Sequence, residues 1–510
     1  MRESADPRLG EIESLLIEPQ RDPHVDMVLS SPGPDRYRVA SPSGSVEFVR
    51  LIDTGTDDDG RPVDRYRYEV DAVVDADPIA DTTDDRFVGL ALEREGVFPT
   101  RDANAYPHAH DQIAQFFDSP HAPDLVVQHT AGHHYDTNLG EHGSLGVVQA
   151  RAPFIASGAG VPARGTLPQS ARMVDVAPTV LHLLGGAIHP GGVGPTGSPR
   201  SGALLARQDG DALTSIVDPA GAQHVVLILL DGCNANVLYE AVATGVAPAI
   251  ASLAAAGTTL GRGLLASLPT ATLANHTTAS TGVHPGHSGV LHNMWLDRDR
   301  QTTPDLLAMD QMFDAMVHLR SDVETVHEAI HRARPDAFTA AIFEFCDRGA
   351  DASSFADFRG GRPPALPDPA TLPDVTGDFV ASSGAYSFMS GVDERATCQA
   401  IALWERRDGN PLPDFTFLSL ALTDEAGHEG GPHSEMAAAA IADSDRRVAR
   451  VIDAVDRSGA RGRTAFVVIA DHGMEANDPT NDLPWDQTMA DLPGRGHDVI
   501  DVAAGLIYLR

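Results

Sequence analysis

Hydrophobic residues follow two rhythms along this chain. Short, unbroken apolar runs occur at "HVVLILLD" (224–231), "TAAIF" (339–343), "FTFLSLALTD" (415–424) and "TAFVVIADHG" (464–473). Runs of this length, rich in branched residues, predict strands buried on both faces of a parallel sheet. Between them lie helical periods such as "SEMAAAAIADSDRRVARVIDAVDRSG" (434–459), which ends at a C-cap glycine. Strands that alternate with helices predict an α/β architecture. Residues 36–84 read differently: "RYRVASPSGSVEFVRLID" and "RYRYEVDAVV" alternate polar and apolar positions, which predicts a small antiparallel sheet near the N-terminus. The segment 191–212, loaded with Gly, Pro and Ser, reads as a linker, and no fixed-period repeat is present.

A chain of 510 residues, 42% hydrophobic and 21% charged, can bury a large core. No run reaches the roughly 18 to 20 apolar residues of a membrane span, and "MRESADPRLGEIESLL" lacks the pattern of a secretory signal, so the expected setting is the cytoplasm. Cys233, Cys346 and Cys398 are widely spaced and odd in number, hence reduced and structural. The formal charge of −35 argues against duplex nucleic acid or an anionic membrane as partner. There is no lysine: all 37 basic residues are arginine. An anionic small molecule could still bind where a site supplies its own positive charge, which implies metal.

Three core strands end in acid: Asp231, Asp424 and Asp471. The carboxyl ends of parallel strands open onto one crevice, so these carboxylates are expected to converge. His472 adjoins Asp471, and His428 follows Asp424 by four residues, one helical face apart. Aspartate oxygens and neutral imidazoles are what a zinc-like dication accepts when thiolates are absent. Taken singly, a strand-end Asp also serves as the N-cap of the next helix. Cys233, His133 and His134 are left as structural. Between Asp231 and the Asp–His pairs, residues 270–293 ("TATLANHTTASTGVHPGHSGVLHN") hold four histidines, two asparagines and seven hydroxyl side chains, with no carboxylate and no arginine.

The order of these features resembles the alkaline phosphatase superfamily, and within it the nucleotide pyrophosphatase/type I phosphodiesterase branch. The matching elements are Asp231–Gly232, Thr272 in "TLANH", Asn293 in "LHN", Asp424 with His428, and Asp471–His472–Gly473, over roughly residues 223–475. Ala274 departs from the pattern, which usually has proline there. The resemblance implies a three-layer sandwich around a mostly parallel sheet and two divalent ions, zinc or alternatively manganese. One ion would take Asp231, Thr272, Asp471 and His472; the other would take Asp424, His428 and a further histidine. Thr272 becomes the nucleophile of a covalent phosphothreonine intermediate, with Asn293 donating to a phosphoryl oxygen. Four positive charges on the ions offset three aspartates and one alkoxide, leaving room for an anionic substrate. His284, His287 and His292 are assigned to packing and capping.

The remaining histidine ligand lies well after D-H-G in that family, but only His497 follows it here. Upstream, "GEHGSLG" and "SARMVDVAPTVLHLLG" (170–185) resemble the family's usual C-terminal portion, which makes His142 the ligand and the chain circularly permuted. The implied layout is a small β segment at 1–85, a permuted core portion at 86–190, a linker at 191–222 and the main core at 223–510. Strand-like "AAGLIYLR" (503–510) would once have run on into "IESLLIEPQ", bringing Met1 and Arg510 to one side. The expected activity is hydrolysis of a small phosphate ester or nucleotide, most closely a phosphodiesterase or nucleotide pyrophosphatase. The alternatives are a phosphonoacetate hydrolase, a phosphomonoesterase and a metal-stabilised binding protein without activity.

Overall fold

The structure is a computed structural model that describes residues 7–18, 25–56, 62–132, 137–361, 376–481, 485–494, 496–503 and 505–510. Met1, His133 and His134 lie outside the described residues. An eight-stranded sheet forms the core. Across it run Ala352–Ser353, Thr339–Ile342, Phe415–Leu420, His224–Leu230, Thr464–Ile469, Phe154–Gly158, Gly257–Leu260 and Gly165–Leu167. The first five are mutually parallel, and only Phe154–Gly158 runs against its neighbours. The four apolar runs of the sequence are the middle of this sheet, and every residue of Phe415–Leu420 and Thr464–Ile469 is buried. A strand buried on both faces has no use for alternation, which is why these segments read as unbroken runs.

Helices cover both faces, giving three layers. Glu435–Arg457, Gly384–Trp404, Val176–Leu183 and Val326–Ala333 all contribute to one apolar core with the sheet. Glu435–Arg457 begins where Ser434 accepts from the Ala437 N–H, and Gly459 beyond it takes a positive φ of 74°, as a chain leaving a helix often requires.

The antiparallel part is larger than the sequence pattern predicts. A second, seven-stranded sheet is ordered Val499–Val502, Leu506–Leu509, Leu125–His129, Val25–Gly33, Arg36–Ser41, Gly44–Thr56 and Pro62–Val74, with every neighbouring pair antiparallel. It is assembled from three distant parts of the chain, and pairing over such distances leaves no local signature. Residues 12–16 of "IESLLI" belong to the helix Pro7–Leu16. Its Ile12 and Leu16, four apart, both insert between this sheet and Trp485. The segment 191–222 contains no helix or strand, yet it is packed rather than free: Leu205 and Ile216 are in the main core.

Buried polar bonds tie distant segments of the chain together. Arg151, buried, donates to the carbonyls of Asp84, Arg86 and Phe87. Glu93 accepts from Asn234 at 2.7 Å and also from Asn236, and buried Glu475 accepts from Gln149 at 2.9 Å. Burial pushes the Glu475 carboxyl up to about 7 from an ordinary 4.5, against the opposing effect of the Gln149 hydrogen bond. The folded state therefore holds a proton that the unfolded chain releases, and stability falls as pH rises from about 4.5 through 7. Glu475→Gln keeps the neutral form, so its stability gain over the parent should grow across that interval and level off above it. At about 1.4 kcal/mol per pKa unit, a gain of about 1 to 3 kcal/mol at pH 8 relative to pH 5 is expected in denaturant titrations; equal midpoint differences at both pH values would refute it.

Candidate metal centre

The three acid-ended strands are adjacent in the sheet, so their acids emerge side by side. Asp231 directly follows His224–Leu230, Asp471 follows Thr464–Ile469, and Asp424 sits in the first turn of the helix Leu422–Gly430 behind Phe415–Leu420. Asp231 does not cap the helix after its strand; that role belongs to Asn234, which accepts from the Val237 N–H. Gly232 makes the close approach feasible. Its φ is 58°, its N–H donates to Asp471 Oδ1 at 3.0 Å, and a Cβ there would lie 2.1 Å from Asp424 Oδ1.

Three imidazoles join them, all mounted in the same way. His142 pairs through Nδ1 with the Thr270 carbonyl at 2.8 Å, His428 with the Gly140 carbonyl at 2.8 Å, and His472 with the Gly473 carbonyl at 2.9 Å. A carbonyl only accepts, so each Nδ1 carries a proton and each Nε2 is turned to the acids, protonated on His428 and His472 unless an ion takes the proton's place. His142 Nε2 lies 3.8 Å from Asp424 Oδ1, His428 Nε2 3.4 Å from Asp424 Oδ2, and His472 Nε2 3.0 Å from Asp471 Oδ2 and 3.8 Å from Asp231 Oδ1.

His142 reaches this place on a loop laced to its surroundings. Gly140–Glu141 pairs with Glu475–Ala476, the Leu139 N–H donates to the His428 carbonyl at 2.7 Å, and the Gly143 N–H donates to Thr270 Oγ1 at 2.8 Å. The alternative ligand His497 lies elsewhere, its Nε2 3.9 Å from Glu11.

Thr272 is the first residue of the fully buried helix Thr272–Thr281, where free backbone N–H groups favour an anion. Asn293 is brought to the same end, its Oδ1 accepting from the Leu273 N–H at 2.9 Å. That leaves its NH2 as the donor. His284 and His287 lie beyond the other end of this helix. His287 bridges Asp209 at 2.6 Å and Asp118 at 2.8 Å, and His284 bonds Ser267 at 2.9 Å.

Two residues escaped the sequence reading. His276, fully buried, has Nε2 3.6 Å from Asp231 Oδ2 and 3.8 Å from Asp471 Oδ2, and its Nδ1 is 2.7 Å from Glu344 Oε2. Glu344 is itself fixed by Ser419 Oγ at 2.8 Å and the Cys346 N–H at 3.0 Å. His276 stands four residues after Thr272, on the same helix face, and Glu344 closely follows the strand Thr339–Ile342. Both signals were present in the sequence.

The donor set fits divalent ions. Asp231, Asp471 and His472 form one group of converging ligand atoms, and His142, Asp424 and His472 another. Asp231 Oδ1, Asp424 Oδ1, Asp471 Oδ2, His276 Nε2 and His472 Nε2 are all buried without a hydrogen-bond partner, which a protein tolerates only where something else binds. The proton affinities agree. Burial, with Asp471 and Asp424 alongside, pushes Asp231 up to about 7. Burial opposes charge on His428 and His472, but Asp424 lifts the first to about 10 and Asp471 the second to about 9. Burial, reinforced by His472, lowers His142 to about 3. Protons and dications compete for these atoms.

Buried carboxylates, Nε2-presenting imidazoles and a hydroxyl at a helix N-terminus together define a divalent-ion site of the α/β class. The chain belongs to the type I phosphodiesterase/nucleotide pyrophosphatase family, whose model matches residues 225–509. A relative is the ectonucleotide pyrophosphatase/phosphodiesterase family member 1 of Mus musculus, 26% identical over 250 residues. That alignment takes in 49% of this chain and 24% of the relative, so the chain spans about a quarter of the curated relative's length. Among solved structures, murine ectonucleotide pyrophosphatase/phosphodiesterase 5 in complex with AMP is 16% identical, with a TM-score of 0.38 over 56% of this chain and 66% of its own. The alkaline phosphatase PafA is 14% identical, with a TM-score of 0.41 over 56% and 72%. A phosphonoacetate hydrolase from Sinorhizobium meliloti 1021, solved with phosphonoformate, is 19% identical, with a TM-score of 0.33 over 49% and 57%.

Groups that orient metal ligands typically account for 10- to 100-fold in affinity. His276→Asn and Glu344→Gln are each expected to weaken binding of one divalent ion by roughly 10- to 100-fold, measured by competition with a chromophoric chelator. Two unchanged dissociation constants would remove both residues from the centre.

Proposed function

We propose that this protein is a two-metal phosphodiesterase in which Thr272 is the nucleophile. The observation that carries the reading is the meeting of six ligand side chains, three Asp and three His, at the neutral N-terminus of the helix that starts with Thr272. Asp231, Asp471 and His472 would hold one ion with Thr272, and Asp424, His428 and His142 the other; zinc suits this oxygen and nitrogen set, with manganese an alternative. Bound ions would supply Lewis acidity and lower the pKa of coordinated hydroxyls.

The chain's own groups then divide the work. Thr272 Oγ forms a bond to phosphorus as the bond to the leaving alcohol breaks in line, giving phosphothreonine; water attacks the same phosphorus and returns the threonine. The Asn293 NH2 and the helix N–H groups donate to the phosphoryl oxygens as charge builds there. His142, His428 and His472 keep their tautomers throughout, because each Nδ1–H is held by a backbone carbonyl.

A cavity of about 640 Å³ adjoins His142, Ala271 and Asn293 and would receive the esterified group. Glu141 and Asp501 line it, and among the described residues no arginine does. This favours a diester over phosphonoacetate, whose carboxylate would need a cation. The circular permutation belongs to the same reading. It is supported by the place of His142 beside Asp424, upstream of every other ligand, and by Arg8, which donates to the Arg510 carbonyl at 3.0 Å.

Thr272→Ala should lower turnover of bis(p-nitrophenyl) phosphate by several orders of magnitude while retaining bound metal, and Thr272→Ser should keep much more activity. An alanine variant with near-normal turnover would remove the assignment. Chelation should abolish activity and zinc restore it, with elemental analysis reporting two ions per chain. Faster turnover of p-nitrophenyl phosphate or phosphonoacetate than of the diester would replace this reading with the corresponding alternative.

A further inference from the structure

Among the described residues, the last strand of the antiparallel sheet, Pro62–Val74, has a neighbour on one side only. Its outer edge presents unpaired backbone N–H and C=O groups. Natural proteins usually guard such an edge, most simply with charges of one sign that repel a second copy. Here the charges are arranged the other way. Along "RYRYEVD", Arg65 and Arg67 come first, then Glu69 and Asp71, all four exposed and alternating with Tyr66, Tyr68 and Val70. Arg65, Arg67 and Glu69 stand two apart and share a face of the strand; Asp71 is the extra residue of a bulge after Val70, and its bond to Arg36 at 2.9 Å keeps it on that face.

We propose that this edge pairs with the same edge of a second copy, antiparallel about a two-fold axis at Tyr68. In that register each Arg67 stands opposite Glu69 of the other copy, and each Arg65 comes near its Asp71 at the bulge. Cross-strand pairs of opposite charge stabilise a sheet, and like charges directly opposite destabilise it. A single strand that is complementary to its own reverse is the requirement of an isologous interface. Within one chain these groups already pair weakly and in the open: Arg67 with Asp53 at 3.1 Å and with Glu69, and Asp71 with Arg36 at 2.9 Å, with side chains 44 to 63% exposed. Exchanging such surface pairs for cross-strand pairs costs little.

Apolar residues mark the same ribbon. Val70, Val73 and Val74, with Ile52 on the adjoining strand, are 48 to 58% exposed, a concentration of large aliphatic groups that water alone does not favour. Val70 would face Tyr66 of the second copy across the junction, where both lose water.

Sedimentation at about 50 µM protein and about 0.15 M and 1 M salt tests the pairing. The parent chain should run at twice its monomer mass. Arg65→Glu/Arg67→Glu places four acids opposite four acids and should be monomeric. Glu69→Arg/Asp71→Arg places arginines opposite arginines and should be monomeric too. An equimolar mixture of these two variants restores every opposite-charge pair and should form a 1:1 dimer. Unchanged circular dichroism and melting midpoints show that each variant is folded. A monomeric parent at both salt concentrations, self-association of either variant, or failure of the two variants to combine would each overturn the proposal.

Discussion

Three carboxylates held side by side at the ends of adjacent, buried strands repel one another, and among the described residues no arginine bonds to any of them. Much of the neighbourhood follows from that. Burial raises the electrostatic cost, so the acids must take up protons or cations. The helix that meets them carries no carboxylate and no arginine along its whole length. The histidines are held at Nδ1 by backbone carbonyls, which turns each Nε2 to the acids. Gly232 has no Cβ because an atom there would occupy the place of Asp424. Ions bound as proposed would offset a repulsion that would destabilise an ordinary core.

The second constraint is the source of the pieces. Five of the six proposed ligand side chains lie within the stretch matched by the family model, and the sixth, His142, does not. It is delivered by a loop stitched to the helix Leu422–Gly430 and to the segment after Asp471. Backbone and imidazole-to-backbone bonds carry much of the stitching, and the side chains of Asn138, Thr270, Gln149 and Gln128 add to it.

Much of the core could be read from the sequence. Val225 to Leu230 and their counterparts are unbroken apolar runs because both faces of those strands are covered. The Asp at each run's end, with parallel order, was enough to foresee one crevice. His428 followed from its four-residue spacing. His142 was legible only through resemblance, since nothing local distinguishes it from other histidines. His276 and Glu344 were missed though their spacing and position held the same signals as the residues that were found. Of the seven-stranded sheet the sequence shows the strands within 36–84 and the strand-like 503–510, but not that Val25–Gly33 and Leu125–His129 join them, because those partners lie far apart in the chain. "IESLLI" is short enough to suit helix or strand, and packing against Trp485 and Ile507 decides for helix.

The wall of the cavity beside the centre is built where Leu506–Leu509 joins Leu125–His129. There the Leu509 N–H donates to Asp124 at 2.8 Å across a separation of 385 residues. The eight-stranded sheet carries the carboxylates, while Gly505 and Leu506, which line the cavity, belong to the end of the chain that joins the other sheet. Loss of that last strand would therefore open the wall around the esterified group and leave the strands that bear the acids in place.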